Sequence, residues 1–282
     1  MKTYKEFHIR TAPFLPDLLS GLLWELNISG LTEEQQSIII FSEGNYLSKE
    51  TVENFLRKMK AENLFSEFSV DEYELENKNW NEEWEKNLNI IKVNDKLVIK
   101  PSTKEYNPKE NEIVLTIDPK MSFGTGEHQT TKLMLKMIER YVKPGMKVLD
   151  VGSGTAILAI ASVKLGAVSA VAVDNDELCF ANGIENIGLN EVSEEVEVRI
   201  GELKDINESN FDMILANIQK NVILGIADDI RKRLINEGII ILSGLLNKDE
   251  EDVVEHYKKI CFNLVGKDRM DEWTVLVLQL KV

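Results

Sequence analysis

The chain has 282 residues, 43% of them apolar, enough to bury a large core and to form one large domain with a smaller companion. Acidic residues outnumber basic ones, 48 to 33, for a formal charge of −15; this argues against an extended nucleic-acid footprint and suits a cationic partner. Cys179 and Cys261 lie far apart, with only His8, His128 and His256 for company, so neither a disulfide framework nor a Cys/His zinc site is expected. "MKTYKEFHIR" has no apolar signal core and no apolar run is long enough to span a membrane. The expectation is a cytoplasmic protein with reduced thiols.

In chain order, "YKEFHI" alternates as a strand, and Phe14, Leu18, Leu22 and Leu26 mark a helix entered at Pro13 or Pro16. A weak strand near Ile28 to Thr32 and a clear one in "SIIIFS" follow. "SKETVENFLRKM" places Val52, Phe55, Leu56 and Met59 on one helical face behind Ser48 as N-cap, and "FSVDEYEL" is a strand. The order β-α-β-β-α-β predicts a small ferredoxin-like α+β domain over residues 1–75. Residues 76–96 read as an acidic linker, with Trp80 and Trp84 on one helical face.

Residues 97–282 open with two short apolar runs, "LVIK" and "EIVLTI", and then alternate strand with helix. The strands are "KVLDV", "AVAV", "VEVRI", "FDMILAN", "GIIILS", "FNLVG" and "WTVLVLQL". Helices are expected over Ala156–Leu165, Glu177–Leu189, Val222–Leu234 and Glu250–Lys259. Continuous apolar strands between amphipathic helices predict an α/β fold, a mostly parallel seven-stranded Rossmann-like sheet covered on both faces. The last two strands are joined only by Lys267 to Glu272, too short for a helical crossover, so they form an antiparallel hairpin.

The ligand follows from the turn after "VLDV". Asp150, Gly152 and Gly154 stand where such sheets bind ligands. A dinucleotide fingerprint needs a third glycine where Ile157 stands, which disfavours a nicotinamide dehydrogenase, and a phosphate-binding loop needs Lys followed by Ser or Thr, which is missing. Asp174, about 20 residues beyond Gly154, is placed to accept hydrogen bonds from ribose hydroxyls. Asp176 is the better cap for the helix from Glu177. An adenosine carrying a cationic sulfonium in place of phosphates fits these residues best.

"MSFGTGEHQTT" (Met121 to Thr131), "ILANIQKNVIL" (Ile214 to Leu224), "LSGLL" at Leu242 and "EWTVLVLQ" near the end narrow the reading. With "NWNEEWEKNLNIIKVNDKLVIKPS", they resemble the bacterial protein methyltransferase A family, which methylates large ribosomal subunit protein eleven. The likeness runs from about Trp80 onward. It implies a class I methyltransferase domain, S-adenosylmethionine as cofactor, and a ferredoxin-like front domain that recognises substrate. It also implies Thr131, Gly152, Asp174 and Asn217 as cofactor-binding residues, Gly154 belonging to the same turn. In related enzymes an acid after strand three contacts the adenine, and "GELKD" offers both Glu202 and Asp205.

The reaction so implied is methyl transfer to lysine or N-terminal amines of that basic ribosomal protein, free or on the ribosome, without direct nucleic-acid or membrane contact. Asn217 is expected to orient the amine and Phe123 to close a dry pocket, while water or His128 removes the proton. "SFGTGEH" is a candidate lid with freedom at Gly124 and Gly126. Departures from the family pattern are Ala156 and Gln129, where glycine and proline are common, and the polar "ANIQKN". Competing readings are the same chemistry on another protein or a small amine, and a non-catalytic ribosome-binding module.

Overall fold

The computed structural model describes residues 4–43, 46–75, 88–120 and 122–281, and the chain divides into two units, Met1–Trp80 and Asn81–Val282. In the first unit the elements are β1 (Tyr4–Ala12), α1 (Pro16–Leu23), β2 (Gly30–Glu33), β3 (Ile38–Glu43), α2 (Lys49–Ala61) and β4 (Glu67–Leu75). The sheet is antiparallel throughout, in the order β2-β3-β1-β4, which is the split βαβ arrangement. Strand alternation sends Phe7, Ile9, Ile38 and Ile40 to one face, where they bury against Leu19 and Leu23 of α1 and Val52 and Leu56 of α2. Ser48 caps α2 by accepting the Thr51 N–H at 3.2 Å. The tryptophan pair Trp80 and Trp84 lies outside the described residues.

The second unit begins with a small sheet, β5 (Ile91–Lys92), β6 (Leu97–Lys100) and β7 (Ile113–Thr116), in which β6 pairs antiparallel with β5 and parallel with β7. β5 falls inside the stretch expected to act as linker. α3 (Gln129–Tyr141) follows, then β8 (Lys147–Val151), α4 (Ile157–Lys164), β9 (Ser169–Asp174), α5 (Glu177–Leu189), β10 (Val196–Ile200) and β11 (Phe211–Asn217). The chain ends with α6 (Lys220–Gly225), α7 (Ala227–Arg233), β12 (Leu234–Leu246), α8 (Glu250–Lys258), β13 (Phe262–Met270) and β14 (Trp273–Leu280).

These strands build one seven-stranded sheet, ordered β10-β9-β8-β11-β12-β14-β13, with β14 antiparallel to both neighbours. Its two faces are read directly from strand alternation. Met213 and Leu215 of β11 pack in the core formed with α3, α4 and α5, while Ile214 and Ala216 pack with Ile223, Ile230, Val253 and Tyr257 of α6, α7 and α8. Each fully buried aliphatic side chain contributes roughly 1.5–3 kcal/mol, so both helical layers are needed.

Two boundaries differ from the sequence expectation. The helix expected over Val222–Leu234 is two helices, because Ile226, at φ −99° and ψ 5°, leaves the helical range after Gly225, and Leu234 is already extended. β13 runs on to Met270, so the hairpin turn is only Asp271 and Glu272, with Asp271 at φ 52°. Among the described residues no helix is long and apolar enough to cross a membrane.

Candidate active site

The chain leaves β8 toward β9 on one side, and returns to place β11 on the other. The carboxyl ends of β8 and β11 therefore form the switch point of the sheet, where loops part to leave a crevice. The turn after β8 lies across that crevice, its Gly152 and Ser153 N–H groups donating to the Val173 carbonyl at 2.9 and 3.1 Å. Gly152 and Gly154 have φ of 70° and 52°, and a side chain on either would collide, the first with Ile218 and the second with the Phe123 carbonyl. Ala156 is also left-handed, at φ 62°, and fully buried. Its methyl group costs about 1–2 kcal/mol of strain where glycine would cost none.

Asp174 ties three loops together. Its Oδ2 accepts the Gly154 N–H at 2.8 Å, its Oδ1 accepts the Asp176 N–H at 3.1 Å, and its carbonyl accepts the Gly201 N–H at 2.8 Å. Capping of α5 falls to Asp176, which accepts the Leu178 N–H at 2.8 Å. A carboxylate has about four acceptor sites, so Asp174 keeps capacity for further donors.

These loops enclose a cleft of about 560 Å³ lined by Phe123, Gly152, Gly154, Asp174, Glu202 and Asn217 among others. Of the residues expected from sequence, Thr131 does not line it; that side chain is 1% exposed in the first turn of α3, with an unpartnered hydroxyl. Glu202 stands at the rim, paired with Lys204 at 2.8 Å, whereas Asp205 turns back to accept the Glu202 N–H at 2.9 Å. Among the described residues the lining contains two carboxylates, Asp174 and Glu202, and no Lys or Arg. At the end of β11, the Asn217 Oδ1 is buried without a partner among the described residues, a position that costs about 1–3 kcal/mol unless a donor meets it. Leu203, Ile218, Val222 and Ile226 complete an apolar wall that sequence reading missed, since apolar residues after strands are indistinguishable there from core.

The "SFGTGEH" segment is docked on the glycine turn. The Phe123 carbonyl accepts the Thr155 N–H at 3.0 Å, and the Gly124 carbonyl accepts the Thr155 hydroxyl at 3.0 Å. The Phe123 ring, half exposed, meets His128 edge-on at 5.5 Å, and His128 in turn meets Trp273 at 4.9 Å. His128 is the N-cap of α3. Its Nδ1 accepts the Thr130 N–H at 3.3 Å and lies 2.8 Å from the Thr130 hydroxyl, so this nitrogen serves the helix end.

The departures from the family pattern also have partners. Gln129 donates to Asp271 at 3.2 Å, joining α3 to the hairpin turn. Lys220 bonds Asp249 at 3.0 Å and Asp252 at 2.6 Å, away from the cleft, while Gln219 lines it. Beneath the turn, Asp150 is fully buried. Its Oδ2 accepts the Ala159 N–H at 3.2 Å and its Oδ1 has no partner among the described residues. Burial, helped by nearby Asp174 and opposed by the Ala159 bond, pushes its carboxyl up to about 7. Burial likewise pushes the Cys179 thiol, in the cleft wall, above its ordinary value.

Phosphates would meet two carboxylates and no cation among the described lining residues, whereas an adenosine attached to a sulfonium would meet acceptors for its hydroxyls and no opposing positive charge. The residues present fit S-adenosylmethionine.

Comparison with known proteins gives the same answer. A family model described as ribosomal protein L11 methyltransferase (PrmA) matches residues 24–281. A ribosomal protein L11 methyltransferase of Caldicellulosiruptor bescii is 32% identical over 298 residues, covering 96% of this chain and 97% of its own. One from Acetivibrio thermocellus is 37% identical over 206 residues, covering 73% of this chain and 66% of its own. The crystal structure of a ribosomal protein L11 methylase from Lactobacillus delbrueckii subsp. bulgaricus superposes with a TM-score of 0.65 at 30% identity, covering 69% of this chain and 100% of that one. The sheet order, the glycine turn and the S-adenosylmethionine chemistry of the cleft are those of a class I methyltransferase, and the match over residues 24–281 makes this chain a member of the ribosomal protein L11 methyltransferase family.

Proposed function

We propose that this protein transfers methyl groups from S-adenosylmethionine to amines of ribosomal protein L11, on lysine side chains, the N-terminal amine or both. The observation that carries the reading is the cleft at the switch point, which among the described residues has two carboxylates, no lining cation, and a buried Asn217 Oδ1 without a partner. S-adenosylmethionine bound there supplies a methyl group activated by a cationic sulfur.

The chain's own residues handle everything else. Asp174 accepts the ribose hydroxyls on its remaining acceptor sites, Glu202 takes the adenine edge at the rim, and the backbone from Gly152 to Gly154 allows close approach. Thr131 supports the same site from the first turn of α3. Asn217 Oδ1 accepts an N–H of the incoming amine, aiming its lone pair along the line of displacement. Phe123, over the cleft, excludes water from the reacting atoms.

The amine must arrive neutral. At pH 7 this costs a lysine of pKa about 10.4 roughly 4–5 kcal/mol, but an α-amine of pKa about 7.8 only about 1 kcal/mol. After transfer the surplus proton passes to water, because His128 is committed as a helix cap. The front unit, residues 1–75, recognises L11, and the charge of −15 speeds encounter with that basic protein. We place the reaction in the cytoplasm, without direct nucleic-acid contact, on L11 either free or assembled.

The test is incubation of the purified protein with radiolabelled S-adenosylmethionine and L11 from an unmodified source, followed by mass spectrometry of labelled bands. Label on L11 amines is the expected result. Cofactor binding with L11 unlabelled would transfer the chemistry to another amine, and failure to bind cofactor would leave a non-catalytic module.

A further inference from the structure

One face of α5 carries amides where a helix packed over a sheet ordinarily carries aliphatic side chains. Asn182 and Asn186, with Asn190 at the C-cap, recur every fourth residue and are 2%, 0% and 3% exposed. Their amides bond to main chain. Asn190 accepts the Thr116 N–H at 2.9 Å and donates to the Thr116 carbonyl at 2.6 Å. Asn186 does the same for Asp118, accepting its N–H at 3.0 Å and donating to its carbonyl at 3.4 Å. Asn182 adds a second donor to the Asp118 carbonyl at 2.8 Å.

Four helical residues rise about 6 Å, and two residues of extended chain advance about 6.6 Å, so Asn190 and Asn186 meet alternate residues of one edge, Thr116 and Asp118, while Asn182 shares the Asp118 carbonyl with Asn186. The stripe stands where a neighbouring strand would stand, and satisfies Thr116 and Asp118 as a strand would. Aliphatic side chains of the same size would remove these bonds from the part-buried main chain of Thr116 and Asp118.

What this edge controls is the segment that follows. After Asp118 the chain turns, with the Ser122 N–H donating to the Pro119 carbonyl at 2.8 Å, and delivers Phe123 and Gly124 to Thr155 of the glycine turn. Asn186 holds both ends of this path, since its Nδ2 also donates to the Thr155 carbonyl at 3.1 Å. Nearer the helix start, Cys179 faces Ser122 and the Phe123 backbone, so the same side of α5 follows the segment to the cleft.

We propose that Asn182, Asn186 and Asn190 are positioning residues for cofactor binding: their amides lock Thr116 to Asp118 onto α5 and thereby set the height of Phe123 and Gly124 over the glycine turn. The proposal rests on the reading that the cleft holds S-adenosylmethionine.

The experiment uses the full chain with Asn186→Leu, Asn182→Leu and, as a control on the cleft itself, Asp174→Ala. Calorimetry with S-adenosylmethionine, steady-state kinetics and amide hydrogen exchange over residues 116–126 are the readouts. Losing the paired bonds of Asn186 is expected to weaken cofactor affinity by about tenfold, with faster exchange over 116–126 and a smaller fall in kcat at saturating cofactor, through Phe123. Asn182→Leu, which removes one bond, shifts the same quantities less and in the same direction. If Asn186→Leu does not fold, Asn182→Leu decides. Wild-type affinity and unchanged exchange over 116–126, with only the unfolding midpoint lowered, would overturn the proposal. Wild-type affinity in Asp174→Ala would instead remove the cofactor from this cleft, and the proposal would fall with that reading.

Discussion

Asp150 shows what a single residue beneath the glycine turn does to the whole chain. Its carboxyl, raised from 3.8 to about 7 chiefly by burial, keeps its proton in the folded protein over a range where the unfolded chain has released it. The sign follows from proton uptake: the contribution to stability is complete below about pH 4 and is lost as pH rises through 7. Urea unfolding of Asp150→Asn across pH 5 to 8 is expected to show a flatter dependence than the wild type, and equal slopes would refute this account of Asp150. Residues such as Asp150, Gly152, Gly154 and Asp174 were legible in the sequence because their chemistry rests on local type and spacing. The choice between Glu202 and Asp205 was not, since both lie in one turn and only its backbone direction decides which faces the cleft.

Elements were legible where periodicity and caps agreed, and misread where the period outran the backbone. Ile223, Ala227 and Ile230 keep a helical spacing straight through the break at Gly225 and Ile226, because α6 and α7 feed the same core. β13 was cut short for the opposite reason: as an edge strand it leaves most of its residues exposed, so its "KDRM" end looks like loop. α3 offers a test of the capping role of His128. His128→Ala should cost about 1 kcal/mol in urea unfolding, and leave the acid limb of the kcat/KM pH profile in place. Loss of that limb would restore His128 as the base.

The described residues that line the cleft belong to the second unit, Asn81–Val282, which also contains the seven-stranded sheet. A chain of residues 81–282 is therefore expected to bind S-adenosylmethionine within about threefold of the full chain, a difference under about 0.7 kcal/mol, and to lose methylation of L11. Retained L11 methylation at full rate would contradict the assignment of recognition to the front unit. At this scale the doubly covered sheet with its terminal hairpin, and the split βαβ unit before it, followed from patterning alone. The sheet of β5 to β7 did not, because strands of two to four residues carry too few alternations to reveal their pairing.

The measurement that bears most directly on the reaction is single-turnover methylation of L11 by Asn217→Ala, with cofactor affinity determined in parallel. The account predicts a rate lower by about 100-fold, as expected when a reacting amine loses its alignment, at little-changed affinity for S-adenosylmethionine. A loss of less than about threefold with affinity intact would mean that the buried Asn217 Oδ1 does not position the amine.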